Sequence, residues 1–130
     1  MQPHIVYILT KLELGGAQKV CLALMQHLAI KNVSTSLITG AEGVLVSEAK
    51  KFDSVYFLPS FKREVSLSAI GNELKTLWAL IKLLKQLKKQ HGTIIVHTHS
   101  TKAGIIGRWA SFFAGITIRV HTIHGYGFHD

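Results

Sequence analysis

Five of the chain's eight histidines fall in its last 34 residues: His97, His99, His121, His124 and His129. Four of them stand in two segments that change character abruptly. Ile94-Ile95-Val96 runs into His97-Thr98-His99-Ser100-Thr101-Lys102, and Ile118-Arg119-Val120 runs into His121-Thr122-Ile123-His124-Gly125. Imidazole, hydroxyl and ammonium groups gathered at the end of an apolar run can donate hydrogen bonds and place positive charge, which is what a bound anion such as phosphate needs. A third segment, Leu12-Glu13-Leu14-Gly15-Gly16-Ala17-Gln18, supplies a glycine pair. Glycines at the start of a helix let a ligand approach the main chain, whose free N–H groups favour an anion. A tight turn that needs glycine for its own dihedrals accounts for the same pair.

Lys102 sharpens the anion reading. It is expected in the first turn of a helix, where the helix dipole disfavours a cation and a bound phosphate would reverse the penalty. Ser100 and Thr101 add hydroxyl donors beside it. A solvated lysine that swings away from the terminus would cost ~0.3–1 kcal/mol or less. His97 and His121 are expected inside strands as buried, hydrogen-bonded residues. His99 and His124 are expected past strand ends, where a ligand can reach them, and His124 has the stronger claim because Gly125 opens space beside it. His-x-His on a strand puts both rings on one face, so a metal has to be weighed. The hydrolase pattern His-x-His-x-Asp-His is absent, no carboxylate is near in sequence, and Lys102 would repel a cation; no metal ligand is assigned. The glycines do not form G-x-G-x-x-G, no P-loop is present, and Thr39-Gly40 stands where a dinucleotide site needs an acidic residue.

Composition narrows the classes. The chain has 130 residues, 48% of them hydrophobic, with two prolines, which suits one ordered domain with one core. The single Cys21 makes no internal disulfide and points to a reducing compartment. Residues 1–10 lack the pattern of a signal peptide, and no apolar run approaches the ~20 residues of a membrane span. The net charge is +8, and residues 74–129 hold eight basic side chains and no carboxylate. That half cannot contain a paired-carboxylate catalytic site. It can attract phosphates, anionic lipid or nucleic acid, or can simply be well solvated. Within it Leu74, Leu77, Ile81, Leu84 and Leu87 form one helical stripe, while Lys75, Lys82, Lys85 and Lys89 form another with Trp78 among them. A basic face carrying a tryptophan suits an anionic membrane; an ordinary amphipathic helix with solvated lysines has the same pattern. The aromatics are not interleaved with the basic residues as nucleic-acid stacking requires, so no nucleic acid is expected.

The elements that must position these residues alternate. Strands are expected at 4–9, 33–39, 55–58, 93–97 and 117–122. Helices are expected from the glycine pair to about Lys31, from about Leu67 to Gln90, and from a Ser100 cap through Phe113 with Gly115 just past its end; residues 40–51 form a loop with about one helical turn. This order argues for an α/β, Rossmann-like, doubly wound parallel sheet, and right-handed crossovers give strand order 3-2-1-4-5. The first and fourth strands then lie side by side at the switch point, with the glycine loop and the His97–Lys102 segment flanking one crevice.

Leu14-Gly15-Gly16-Ala17-Gln18-Lys19-Val20, His97-Thr98-His99-Ser100-Thr101-Lys102-Ala103-Gly104 and His121-Thr122-Ile123-His124-Gly125-Tyr126-Gly127-Phe128-His129, in this order and spacing, resemble the N-terminal half of retaining GT-B glycosyltransferases. The closer likeness is to glycosyltransferase family four, the branch that builds bacterial surface polysaccharides. The resemblance covers essentially the whole chain. It implies that residues 1–130 form most of the acceptor-side domain, an incomplete first half of a GT-B architecture, and that a nucleotide-binding C-terminal domain acts with it in cis or in trans. It implies transfer of a sugar from a nucleotide diphosphate sugar to a saccharide or lipid-linked acceptor, with retention and without metal or other cofactor, and inactivity of the chain alone. Carried over, Gly15 and Gly16 lie near the donor phosphates and the transferred sugar, and His124 is the catalytic residue at the reaction centre; the reading of the residues themselves adds His99, Ser100, Lys102 and Gly125 around the substrate and donor phosphates. The implied location is cytoplasmic, peripheral on the inner face of the plasma membrane, with Lys75, Trp78, Lys82, Lys85 and Lys89 as membrane contacts. The alternative is a non-catalytic module that binds membrane or a partner through the basic helix 74–90.

Overall fold

In a computed structural model, residues 3–10, 16–41, 43, 45–52, 54–59, 61, 70–99 and 101–122 are described. The elements are β1 (His4–Ile8), α1 (Gly16–Ile30), β2 (Thr35–Thr39), α2 (Val46–Ala49), β3 (Val55–Phe57), α3 (Ile70–His91), β4 (Ile94–His99), α4 (Thr101–Phe113) and β5 (Ile118–Thr122). All strand pairs are parallel, and the sheet order is β3-β2-β1-β4-β5, as the alternation of elements predicts. Most boundaries agree with the expected ones to within two residues. The difference that matters is at the end of β4, which runs through His99 rather than ending at His97; the expected start of the long helix, about Leu67, lies outside the described residues.

Apolar side chains on both faces of the central strands explain the layers. On one face Val6, Ile8, Ile38, Ile94 and Val96 pack against Leu80, Leu84 and Leu87 of α3 and Ala103 and Ala110 of α4. On the other, Tyr7, Leu9 and Leu37 pack against Cys21, Leu22 and Met25 of α1 and Ala49 of α2. Alternation along each strand sends successive residues to opposite layers, which is why the strand sequences are apolar almost without interruption. Truncating Leu84, which is fully buried, to alanine would cost about 2–5 kcal/mol. Burial also pushes the Cys21 thiol up to about 12, so it is an inert core residue at neutral pH.

Chain reversals fix where each helix stops. Gly92 and Gly115 take left-handed backbone angles directly after α3 and α4, and Ile116 N–H closes back on the Ser111 carbonyl at 2.8 Å, a helix-ending pattern that favours glycine. Among the described residues no helix is long and apolar enough to cross a membrane.

Candidate active site

β1 and β4 are hydrogen-bonded neighbours, with Ile8 opposite Thr98. The chain leaves them toward opposite layers, since α1 packs on one face of the sheet and α4 on the other. The strand order therefore reverses between β1 and β4, and two helix N-termini open at the carboxyl edge beside that point, where open parallel sheets bind ligands. Gly16 is the first residue of α1, and Thr101 and Lys102 form the first turn of α4.

The histidines of β4 and β5 are tied to one another's strands. His97 lies opposite Val120 and His99 opposite Thr122. His97 Nε2 and Thr122 Oγ1 are hydrogen-bonded at 2.5 Å; on the other face, Thr98 Oγ1 and His121 Nδ1 are bonded at 2.7 Å. Both rings are half-buried, so these two residues are hydrogen-bonded as expected but less enclosed. His99 corrects the expectation. It is the last residue of β4 and fully buried, so it is not an accessible group past a strand end. Its ring stacks on that of His97 at a centroid distance of 4.3 Å, and Tyr7 of β1 lies 5.2 Å from one ring and 5.7 Å from the other. The three rings form one cluster, each in reach of the other two. Burial raises the Tyr7 phenol above its ordinary value, with a smaller contribution from Cys21, which keeps it a neutral hydroxyl.

Lys102 stands in the first turn of α4, as the sequence indicates, but it is not solvated. Its Nζ donates to Glu73 Oε1 at 2.7 Å, with 8% of the lysine side chain exposed. The carboxylate offsets the unfavourable placement of a cation at a helix start. An anion that recruits Lys102 has to compete with Glu73. Gly15, Ser100, His124 and Gly125 lie outside the described residues, so the structure brings together Gly16, His99 and Lys102 at the carboxyl edge. Lys75, Trp78, Lys82, Lys85 and Lys89 are all exposed along α3, which begins at that edge, where Glu73 meets Lys102, and runs away from it.

Sequence reasoning missed three contributors. Glu73 stands one residue before the carboxylate-free stretch and answers Lys102, whose side chain is largely buried. Gly104 of α4 leaves room for an imidazole: a Cβ there would stand 2.6 Å from the His121 ring. Gly107 similarly admits the Thr98 methyl group, at 2.5 Å from a Cβ. Two glycines three residues apart inside an expected helix were the available signal, since glycine in a helix interior costs about 1 kcal/mol and needs a packing reason. Beneath His121, a groove lined by Thr98, Gly107, Arg108, Ser111 and Arg119 encloses about 40 Å³, room for a water molecule rather than a sugar. Among the described residues no group of three or more His, Cys, Asp or Glu side chains could hold a metal ion.

The model of Glycosyltransferase Family 4 matches residues 14–130. The chain belongs to this family. A 115-residue stretch is 37% identical to the UDP-Gal:alpha-D-GlcNAc-diphosphoundecaprenol alpha-1,3-galactosyltransferase of Escherichia coli, covering 88% of this chain and 28% of that protein. Among solved structures, MurG of Acinetobacter baumannii superimposes with a TM-score of 0.68 at 18% identity, over 97% of this chain and 37% of its own. A glycosyltransferase from Rickettsia africae superimposes with a TM-score of 0.62 at 20% identity, over 96% of this chain and 30% of its own. These two likenesses establish the GT-B type of fold. The family 4 chain thus spans about a third of the length of the proteins it matches.

Proposed function

We propose that this family 4 chain is the acceptor-side part of an enzyme that moves a sugar from a nucleotide diphosphate sugar to a saccharide or lipid-linked acceptor, with retention and without a metal. One observation carries the reading. The switch point between β1 and β4 opens two helix N-termini and a cluster of imidazole, hydroxyl and ammonium groups at the same edge of the sheet, in a chain of a glycosyltransferase family. That edge supplies donors for a diphosphate leaving group. Fixed N–H dipoles and cations stabilise the developing negative charge without proton transfer to it, which is electrostatic catalysis. The name of the Escherichia coli relative, with UDP-Gal and a diphosphoundecaprenol acceptor, supports a diphosphate donor and a lipid-linked acceptor. The nucleotide is assigned to a second domain, in cis or in trans, and this part is inactive without it.

In this reading Gly15 and Gly16 approach the donor phosphates, Ser100, Lys102 and Gly125 border the substrate, and His124 acts at the reaction centre. His99 acts indirectly, by packing against His97 and Tyr7. The test joins this chain to the remaining portion of the Escherichia coli relative and follows sugar release from UDP-galactose. His124→Ala should lower the rate by about a hundredfold or more; full activity in that variant would sink the role given to His124.

A second reading rests on α3. Lys75, Lys82, Lys85 and Lys89 are all exposed beside Trp78, and the described residues from 74 to 122 include no carboxylate. This favours action at an anionic membrane surface on the cytoplasmic side, either by the transferase or by a module that only binds there. Sugar transfer by the joined protein separates the two: a binding module shows none.

A further inference from the structure

β5 is the least enclosed strand of the central sheet. Ile118, Arg119 and Val120 are exposed, the two apolar ones at 45% and 46%. Among the described residues β4 is its only neighbour in the sheet. Apolar burial on both faces holds β1 and β4; along β5 that contribution is small. The start of the strand is anchored all the same, because Ile116 is buried and Lys88 Nζ donates to the Gly115 carbonyl at 2.7 Å. The carboxyl end, which faces the candidate site, has to be held by other means.

Two side-chain hydrogen bonds hold it, one on each face of the sheet. His97 Nε2 meets Thr122 Oγ1 at 2.5 Å, and Thr98 Oγ1 meets His121 Nδ1 at 2.7 Å. Successive strand residues point to opposite faces, so neighbours 97 and 98 of β4 grip neighbours 121 and 122 of β5 from both sides. The two bonds constrain different motions. Thr98 lies directly opposite His121, and their bond resists splaying of the strands. His97 lies opposite Val120 and reaches diagonally to Thr122, so its bond also resists slip along the strand. Each imidazole is itself fixed. The His97 ring packs on those of His99 at 4.3 Å and Tyr7 at 5.2 Å. The His121 ring lies against α4 where Gly104 leaves room for it.

We propose that His97, Thr98, His121 and Thr122 form a clasp that positions the carboxyl end of β5 for sugar transfer. They are positioning residues: the segment that begins at residue 123 starts from the point they fix. The inference rests on the function proposed above, in which His124 acts at the reaction centre. His124 follows Thr122 by two residues, a span of about 7 Å at most, so little chain is available to absorb a shift of Thr122. Misplacement of a reacting group by about 1 Å lowers a rate by about a hundredfold.

The test uses the joined protein described above. Thr122→Val removes the hydroxyl and keeps the shape, and should lower kcat by about tenfold to a hundredfold while KM for UDP-galactose changes less than about twofold. Thr122→Ser, which restores the hydroxyl, should recover most of the rate. His97→Gln, whose amide nitrogen can replace Nε2, should stay closer to the parent than His97→Leu. Lys88→Met cuts the tie at the other end of β5 and should leave kcat unchanged. Hydrogen exchange read by mass spectrometry should rise in Thr122→Val in peptides that contain residues 117–122, and stay at the parent level in those that contain residues 3–10.

Unchanged exchange in Thr122→Val would overturn the clasp. Faster exchange with an unchanged kcat would overturn the positioning role and leave a fastening of the edge strand. An equal loss of kcat in Thr122→Ser or Lys88→Met would place the effect in the general packing of β5, which also overturns it. No transfer by the parent joined protein would remove the proposed function and the positioning role together, and the exchange data would then judge the clasp as a fastening alone.

Discussion

The two ends of this parallel sheet are both rich in histidine and serve opposite purposes. At the amino edge, the buried His4 has both ring nitrogens engaged, with Ser34 Oγ at 2.5 Å and Ser36 Oγ at 2.7 Å. Ser36 passes the network to Ser54 at 2.6 Å, so one imidazole ties the starts of β1, β2 and β3. His91, the last residue of α3, stacks on it at 3.6 Å with rings within 1° of parallel. At the carboxyl edge His97 and His121 are half-buried, and each is bonded to a threonine of the adjoining strand. Helices end at the first edge and begin at the second, so only the second offers free N–H groups and a positive dipole end. Histidine content alone does not mark a functional edge; strand direction does.

The carboxyl edge is held chiefly by main chain. Gly40 N–H donates to the Thr10 carbonyl at 3.0 Å, and a Cβ on residue 40 would overlap the carbonyl oxygens of Thr10 and Phe61. The segments after β1, β2 and β3 meet at this one hydrogen atom. Gly40→Ala has no flexible side chain to displace, so it should cost about 3 kcal/mol or more, near the upper end of overpacking penalties. Urea unfolding of the two chains measures it. A loss below about 1 kcal/mol would mean that the crossing can open, and that the carboxyl edge is softer than its main-chain contacts indicate.

The amino edge should betray itself through acid. Burial, then the charge of neighbouring His91, holds the His4 imidazole down to about 4, against 6.5 when exposed. Between those values the unfolded chain binds a proton that the folded chain refuses. Stability from this site is therefore complete above pH 6.5, falls as the pH drops toward 4, and changes no further below that. The swing has an upper bound of about 3 kcal/mol, less whatever solvent screening removes at the rim of the sheet. His4→Gln should lower stability at pH 7 and flatten its decline between pH 6.5 and 4. An equally steep decline in the variant would show that another group drives acid unfolding.

Much of this architecture is legible in the sequence because local signals and the global fold agree. Continuous apolar runs such as Ile5-Val6-Tyr7-Ile8 give strands buried on both faces, alternation with helical stripes gives parallel crossovers, and Gly115 marks the end of α4. The misreadings share a cause: contacts between elements distant in sequence are invisible along the chain. His99 reads as the first residue of a loop because polarity begins at His97, yet its place opposite Thr122 keeps it in β4 and buries it. Lys102 reads as either solvated or phosphate-bound because Glu73 is 29 residues away in sequence. Ser34, Ser36 and Ser54 look like ordinary strand-edge hydroxyls until the sheet gathers them around His4.

The smallest expected effect probes the contrast most directly. The pair formed by Lys102 and Glu73 is partly buried, with 8% of the lysine and 25% of the glutamate side chain exposed, so a double-mutant cycle through Lys102→Met and Glu73→Gln should return a coupling of about 1 kcal/mol. At the amino edge, the partners of His4 are neutral hydroxyls that no ligand can displace. At the carboxyl edge the partner is a carboxylate, and a diphosphate can take its place if it offers Lys102 more charge. Glu73→Gln should then cost little stability yet raise the affinity for pyrophosphate, and Lys102→Met should erase that gain. If Glu73→Gln leaves pyrophosphate binding unchanged, the ion pair is a fastening between α3 and α4, and the two edges differ less in kind than their helix termini imply.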